Sequence, residues 1–144
     1  MPVTGPDLTR RGLLLGATAW TLCADDAQDV WDLFTEMAAA LSDAKAAEFM
    51  KAFARDMPNY EVLRTNVEAL LASYELHCSI ELLSEEGDAA GRTVALDWFL
   101  QIVEKQDTGG VTRRREQVHC RLIKRKKKWL ITAFEPISLF KPVT

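Results

Sequence analysis

Histidine and cysteine are scarce in this chain of 144 residues, with two of the first and three of the second. Metal centres built from these side chains need them clustered at short spacings. Cys23, Cys78 and Cys120 are far apart in sequence, and so are His77 and His119. No metal motif is present, and no metal or other cofactor is assigned. No stretch of about 20 apolar residues exists, which excludes a membrane-spanning helix of ordinary length. An excess of positive charge is lacking too. The net charge is −3, and nothing in that total points to nucleic acid. What is present is a composition of 48% apolar and 27% charged residues, ordinary for a soluble globular domain with a real core. The length fits one domain plus a leader.

The leader is expected over residues 1–24. Arg10-Arg11 is followed by the uncharged run Gly12–Ala24 (GLLLGATAWTLCA). A basic start, an apolar middle and a small residue at the end are the layout of an export signal. The adjacent arginines resemble a bacterial twin-arginine signal. The resemblance implies export to the periplasm or cell envelope, whereas a frayed N-terminal arm or a short amphipathic helix would leave the protein cytoplasmic. The domain proper is expected over 25–141, with a short tail at 142–144.

Three helices come first. Asp25-Asp26 can cap the first of them with carboxylates at the positive helix end. Val30, Phe34, Met37 and Leu41 follow at helical spacing. Ser42-Asp43 restarts the pattern, and a second helix buries Phe49, Met50 and Phe53. Met57-Pro58 closes it, because the residue before proline avoids helical geometry. A third opens at Pro58 or Asn59 and sets Tyr60, Leu63, Val67, Leu70 and Leu71 on one face.

After Ser73 the apolar period changes to two, the signature of strands. Four strands alternate, with turns at Ser84–Gly91, at Asp107–Gly110 and in the basic run Lys124–Lys128. The two central stretches, Arg92–Gln106 and Arg113–Pro136, form the body of a curved antiparallel sheet. Paired residues share a face, so the apolar sets must coincide. One face takes Leu76, Cys78, Ile80, Val94, Leu96, Trp98, Leu100, Val118, Cys120, Leu122, Trp129 and Ile131, and lies under the helices. The other takes His77, Ser79, Asp97, Phe99, Gln101, His119, Arg121, Leu130, Thr132 and Phe134. A bulge would shift that parity locally.

Three helices followed by a long antiparallel meander resemble the nuclear transport factor 2-like superfamily (SnoaL-like, cystatin-like α+β). The ending Lys127-Lys128-Trp129-Leu130-Ile131 is similar to its last hairpin. The resemblance covers about Ala27–Phe140. Its short hairpin between the second and third helices has no room at Met57-Pro58-Asn59-Tyr60. It implies an α+β cone, three helices on a four-stranded meander, with a cavity between the layers. It hosts isomerases, dehydratases, cyclases and hydrolases, beside members without chemistry, so the fold alone does not decide function.

A cavity enzyme of this kind would need an acid or base projecting inward, with its pKa moved by burial. Glu116 and Glu135 share the inner face near strand ends, and Tyr60 and Trp98 can shape a wall; these four are the pocket candidates. Asp97 and His119 are the catalytic candidates. One register sets them opposite each other, another sets Asp97 against Arg121, and both point outward. As a cross-strand polar pair they need no chemistry. Phe99, Leu130 and Phe134 make the outer face too apolar for free solvation and are the interface candidates for a homodimer. Cys78 and Cys120 lie on strands about 9.5 Å apart, too far for a disulfide. The basic runs Arg113–Arg115 and Lys124–Lys128 read as solvated ends, or as contacts for anionic lipid or an acidic partner.

Two functions follow. One is an exported, non-catalytic domain binding an apolar small molecule or a protein partner. The other is a small cofactor-independent enzyme of the isomerase, dehydratase or hydrolase type, with acid–base residues in the cavity.

Overall fold

Val30, Phe34, Met37 and Leu41 make one buried stripe along the first helix, α1 (Ala17–Ser42). The structure, a computed structural model, describes residues 17–106 and 109–143. The expected leader therefore lies outside the described residues up to position 16, and Ala17–Ala24 forms the first turns of α1. Asp25-Asp26 does not cap a helix start, because both lie inside α1. Asp26 is buried and accepts a hydrogen bond from Lys124 Nζ at 3.1 Å.

The second helix, α2 (Ala46–Met50), is one turn long and stops well short of Met57. The backbone beyond it is taken by the sheet. Ala54 N–H donates to Ile131 O at 2.8 Å, and Ile131 N–H donates to Ala52 O at 2.8 Å. Those bonds compete with continued helix and also cover part of a sheet edge. Helix α3 (Tyr60–Ser73) starts after Asn59 and buries Leu63, Val67, Leu70 and Leu71.

The sheet is an antiparallel meander in the order β1-β2-β3-β4. Its strands are β1 (Tyr74–Gly87), β2 (Gly91–Glu104), β3 (Val111–Arg125) and β4 (Lys128–Glu135). Leu76, Val94, Leu96, Trp98, Leu100 and Ile102 are all buried, so the inner face of the central strands follows strict alternation. Three helices packed on this four-stranded sheet give the α+β fold.

Two bulges break the alternation. Leu83 is extra in β1, since Leu82 pairs with Leu96 and Ser84 with Ala95. Thr132 is extra in β4, since Ile131 pairs with Leu122 and Ala133 with Arg121. The second bulge corrects the expected faces. Beyond it the strand is inverted: Phe134 turns into the core at 3% exposure, while Ala133 and Glu135 turn outward.

The chain closes with a 3₁₀ helix, Ile137–Phe140, which buries Leu139 and Phe140. Arg114 holds it against the sheet. Its Nη1 donates to Leu139 O at 2.8 Å and to Lys141 O at 2.7 Å, and its Nη2 donates to Pro142 O at 3.3 Å. No helix among the described residues is long and apolar enough to cross a membrane.

Candidate functional site

The space between helices and sheet is where the expected cavity would lie, and aromatic rings occupy it. Phe49, Phe53, Trp98, Phe134 and Phe140 form a continuous cluster with centroid separations of 5.4 to 6.0 Å. Tilted and edge-on pairs at these distances attract beyond simple burial. Each ring comes from a different element or loop, so the cluster is what welds the layers together. Trp98 is fully buried, and among the described residues its indole N–H has no hydrogen-bond partner; the same is true of the Trp129 N–H.

The four pocket candidates do not converge there. Trp98 is core. Tyr60, the first residue of α3, is half-buried and packs against the same core. Glu116 lies opposite Trp98 in the register but is exposed. The reason is that β4 ends opposite His119, so no strand flanks Glu116 on that side. Glu135 is turned outward by the Thr132 bulge and pairs with His119. Among the described residues the buried charged groups are Asp26 and Arg92, and both are paired. Asp26 meets Lys124, and Arg92 meets Glu85 with both side chains under 10% exposed.

Asp97 and His119 are not opposite one another. Asp97 pairs with Gln117, and His119 with Ala95 and Glu135. Asp97 is gripped by Arg115: Nε lies 3.2 and 3.1 Å from the two carboxylate oxygens, and Nη2 is 2.6 Å from one of them. Hydrogen bonds from that guanidinium hold the Asp97 carboxyl below the usual range. A carboxylate so stabilised is a weak base near neutral pH. Arg121, the alternative partner, pairs with Thr93 and Ala133 instead.

Phe99 and Leu130 stay on the outer face, half-buried. Phe134 leaves the interface set for the core. The outer face gains Val103 and Val111, which pair directly; Val111 is 42% exposed. With Phe99 they form an apolar patch beside the Asp97–Arg115 pair.

Cys78 and Cys120 are free thiols. Burial pushes Cys78 up to about 11, with the nearby Trp98 indole opposing that rise without forming a regular hydrogen bond. Burial pushes Cys120 up as well. Neither is a poised nucleophile.

A groove of about 500 Å³ runs between α1, α2 and the β3–β4 hairpin, with Trp129 in its wall. Asp29, Asp32 and Glu36 of α1 face Lys127 and Lys128 across it. Lys124 spans this region, bonded to Asp26 and lying 5.6 Å above the Trp129 ring. Sequence reasoning missed this junction: Asp26 reads as a cap, and its partner is distant in the chain. The hairpin loop itself is unusual, since Lys126 and Lys127 both adopt positive φ, 51° and 70°.

No family model and no curated protein matches the sequence. Solved structures do match. A candidate scytalone dehydratase from Novosphingobium aromaticivorans superposes with a TM-score of 0.71 at 9% identity, covering 80% of this chain and 85% of its own. A type 2 hexachlorocyclohexane dehydrochlorinase gives 0.63 at 11% identity, covering 79% and 85%. An NTF-2-like protein of unknown function from Shewanella oneidensis gives 0.59 at 11% identity, covering 76% and 96%. The chain thus has the nuclear transport factor 2-like fold, shared by proteins named as enzymes and by one of unknown function.

Proposed function

We propose that this chain is a non-catalytic domain of the nuclear transport factor 2-like fold that works by binding, as a homodimer paired through its outer sheet face, in the bacterial envelope. The observation that carries the reading is the interior. Where a catalytic relative would need room and an acid or base, this chain has five aromatic rings in mutual contact. A substrate would have to displace packed hydrocarbon, at a cost of several kcal/mol. The same packing favours a protein partner over an apolar small molecule held inside. Export rests on Arg10-Arg11 and the uncharged run that follows. The competing acid–base enzyme would have to use Asp97 and His119 on an open sheet face, which encloses nothing.

The outer face supports the dimer. Phe99, Val103 and Val111 supply an apolar centre, and the Asp97–Arg115 pair with the neighbouring His77 and Gln101 supplies a polar surround. This is the usual anatomy of a specific interface. Phe99→Glu would bury a carboxylate against its symmetry mate and cost several kcal/mol of association. Light scattering tests it: the wild type is expected at twice the chain mass and Phe99→Glu at the chain mass. A wild type that stays monomeric at high micromolar concentration overturns the dimer.

A further inference from the structure

Charge on the outer sheet face is sorted by strand. The outward positions of β1 hold glutamates and no lysine or arginine, whereas those of β3 hold arginines and no carboxylate. Between them β2 presents Phe99 and Val103. Glu75 is opposite Val103 and Glu81 is opposite Asp97. Arg113 is opposite Gln101 and Arg115 is opposite Phe99. The two glutamates and the two arginines therefore flank the apolar patch from opposite sides, about 9.6 Å apart across two strand spacings. All four are exposed.

The chain itself leaves most of this charge unmatched. Arg115 closes its hydrogen bonds on Asp97. Arg113 and Glu81 have no ion-pair partner among the described residues, and Glu75 is approached by His77 at 3.9 Å. Glu81 and Asp97 are like charges set directly opposite each other, which is unfavourable across two strands, and the Arg115 bonds relieve Asp97 alone. An acidic flank and a basic flank left in this state fit a partner that carries the two in reverse order.

The width of the sheet decides which strand is central. β4 ends opposite His119, so at the level of Phe99, Val103 and Val111 the sheet is three strands wide with β2 in the middle. Two sheets packed face to face keep their strands nearly aligned, which leaves a two-fold axis two directions. An axis across the strands lays each strand over its own copy, glutamate over glutamate and arginine over arginine. An axis along β2 lays β1 of each copy over β3 of the other. We infer that the occupant of this face is a second copy turned about an axis along β2, with Glu75 and Glu81 of each copy against Arg113 and Arg115 of the other. This rests on the homodimer proposed above and adds its orientation and the basis of its recognition. In that arrangement Arg113 comes level with His77, two residues from Glu75, and Arg115 comes level with Ser79, two residues from Glu81. Two residues span about 7 Å of strand, which the long side chains can bridge. A partner of one charge sign would be repelled at one flank, so the same sorting also excludes wrong partners.

The test is charge reversal followed by mixing, read by sedimentation equilibrium of the full chain at about 0.05 M salt. Glu75→Lys/Glu81→Lys makes both flanks basic, and its self-association should weaken about tenfold or more. Arg113→Glu places acid on the basic flank and should weaken self-association by about the same factor. An equimolar mixture of the two variants should pair with each other, within about threefold of the wild-type affinity, because each reversed flank then meets its opposite. Recovery on mixing also shows that both variants are folded. The wild-type dimer should itself loosen as salt is raised to about 0.5 M. A wild type that is split by Phe99→Glu but unaffected by salt, charge variants that associate as tightly as wild type, or a mixture that does not recover would each overturn the orientation and leave the dimer standing. A wild type that is monomeric at high micromolar concentration would overturn both.

Discussion

Trp98 shows how one side chain can be legible in position and illegible in detail. Its strand neighbours Leu96 and Leu100 alternate with Asp97 and Phe99, which fixes its inward direction from the pattern alone. The ring is fully buried, with Phe134 at 5.7 Å and Phe140 at 5.8 Å. Truncation to alanine should cost about 3–5 kcal/mol by cavity formation. Trp98→Phe is the informative contrast. It keeps a ring and removes an N–H that has no partner, a group costing about 1–3 kcal/mol to bury unpaired. Its net loss should be no more than about 1 kcal/mol. Urea denaturation of both variants measures this; equal losses would mean the N–H is satisfied. Phe134 was not legible in the same way, because plain alternation sends it outward. The bulge at Thr132 is what turns it inward: Trp129 and Ile131 are two apart on the buried side, and Phe134 follows three further on. Asp26 was hidden for another reason, since its place near a helix start mimics a cap and its partner lies on β3.

Among the elements, the long strands and α3 were readable because each carries an unbroken period. The helix expected to reach Met57 was not, because Ala52 and Ala54 exchange backbone bonds with Ile131, and no side-chain pattern records backbone pairing. The closing 3₁₀ helix was likewise invisible, as four residues cannot show a period. Its attachment depends on Arg114, which supplies donors to three carbonyls. Burial lowers the Arg114 pKa, but a guanidinium remains charged at any physiological pH. Arg114→Met keeps the apolar stem and deletes the donors, and should cost about 1–3 kcal/mol. Hydrogen exchange followed by mass spectrometry should show the Ile137–Phe140 amides opening faster while β2 amides keep their protection. Unchanged exchange at the C-terminal peptide would remove Arg114 from this role.

For the whole molecule, the fold was written in the order of its elements, and the candidate site was not, because the site depends on what fills the cone and how neighbouring strands are offset. Asp97 finding Arg115 and not His119 is a matter of two residues of register, which composition cannot set. Destination belongs to this scale too. If Arg10-Arg11 directs export, changing both to Lys should hold the chain in the cytoplasm, scored by fractionation and immunoblotting; normal export of that variant would remove the twin-arginine reading. The Ala52–Ala54 strap has its own consequence at this scale. It occupies the β4 margin at Ile131, whereas β1 has no strand beyond it among the described residues. A sheet with two open margins can recruit copies without limit, each offering a fresh margin to the next. With the β4 margin interrupted at Ile131, β1 is the longer margin open to strand pairing, and a union of β1 against β1 leaves only the interrupted margins outside. The strap thus biases strand pairing between copies toward closing at two rather than propagating.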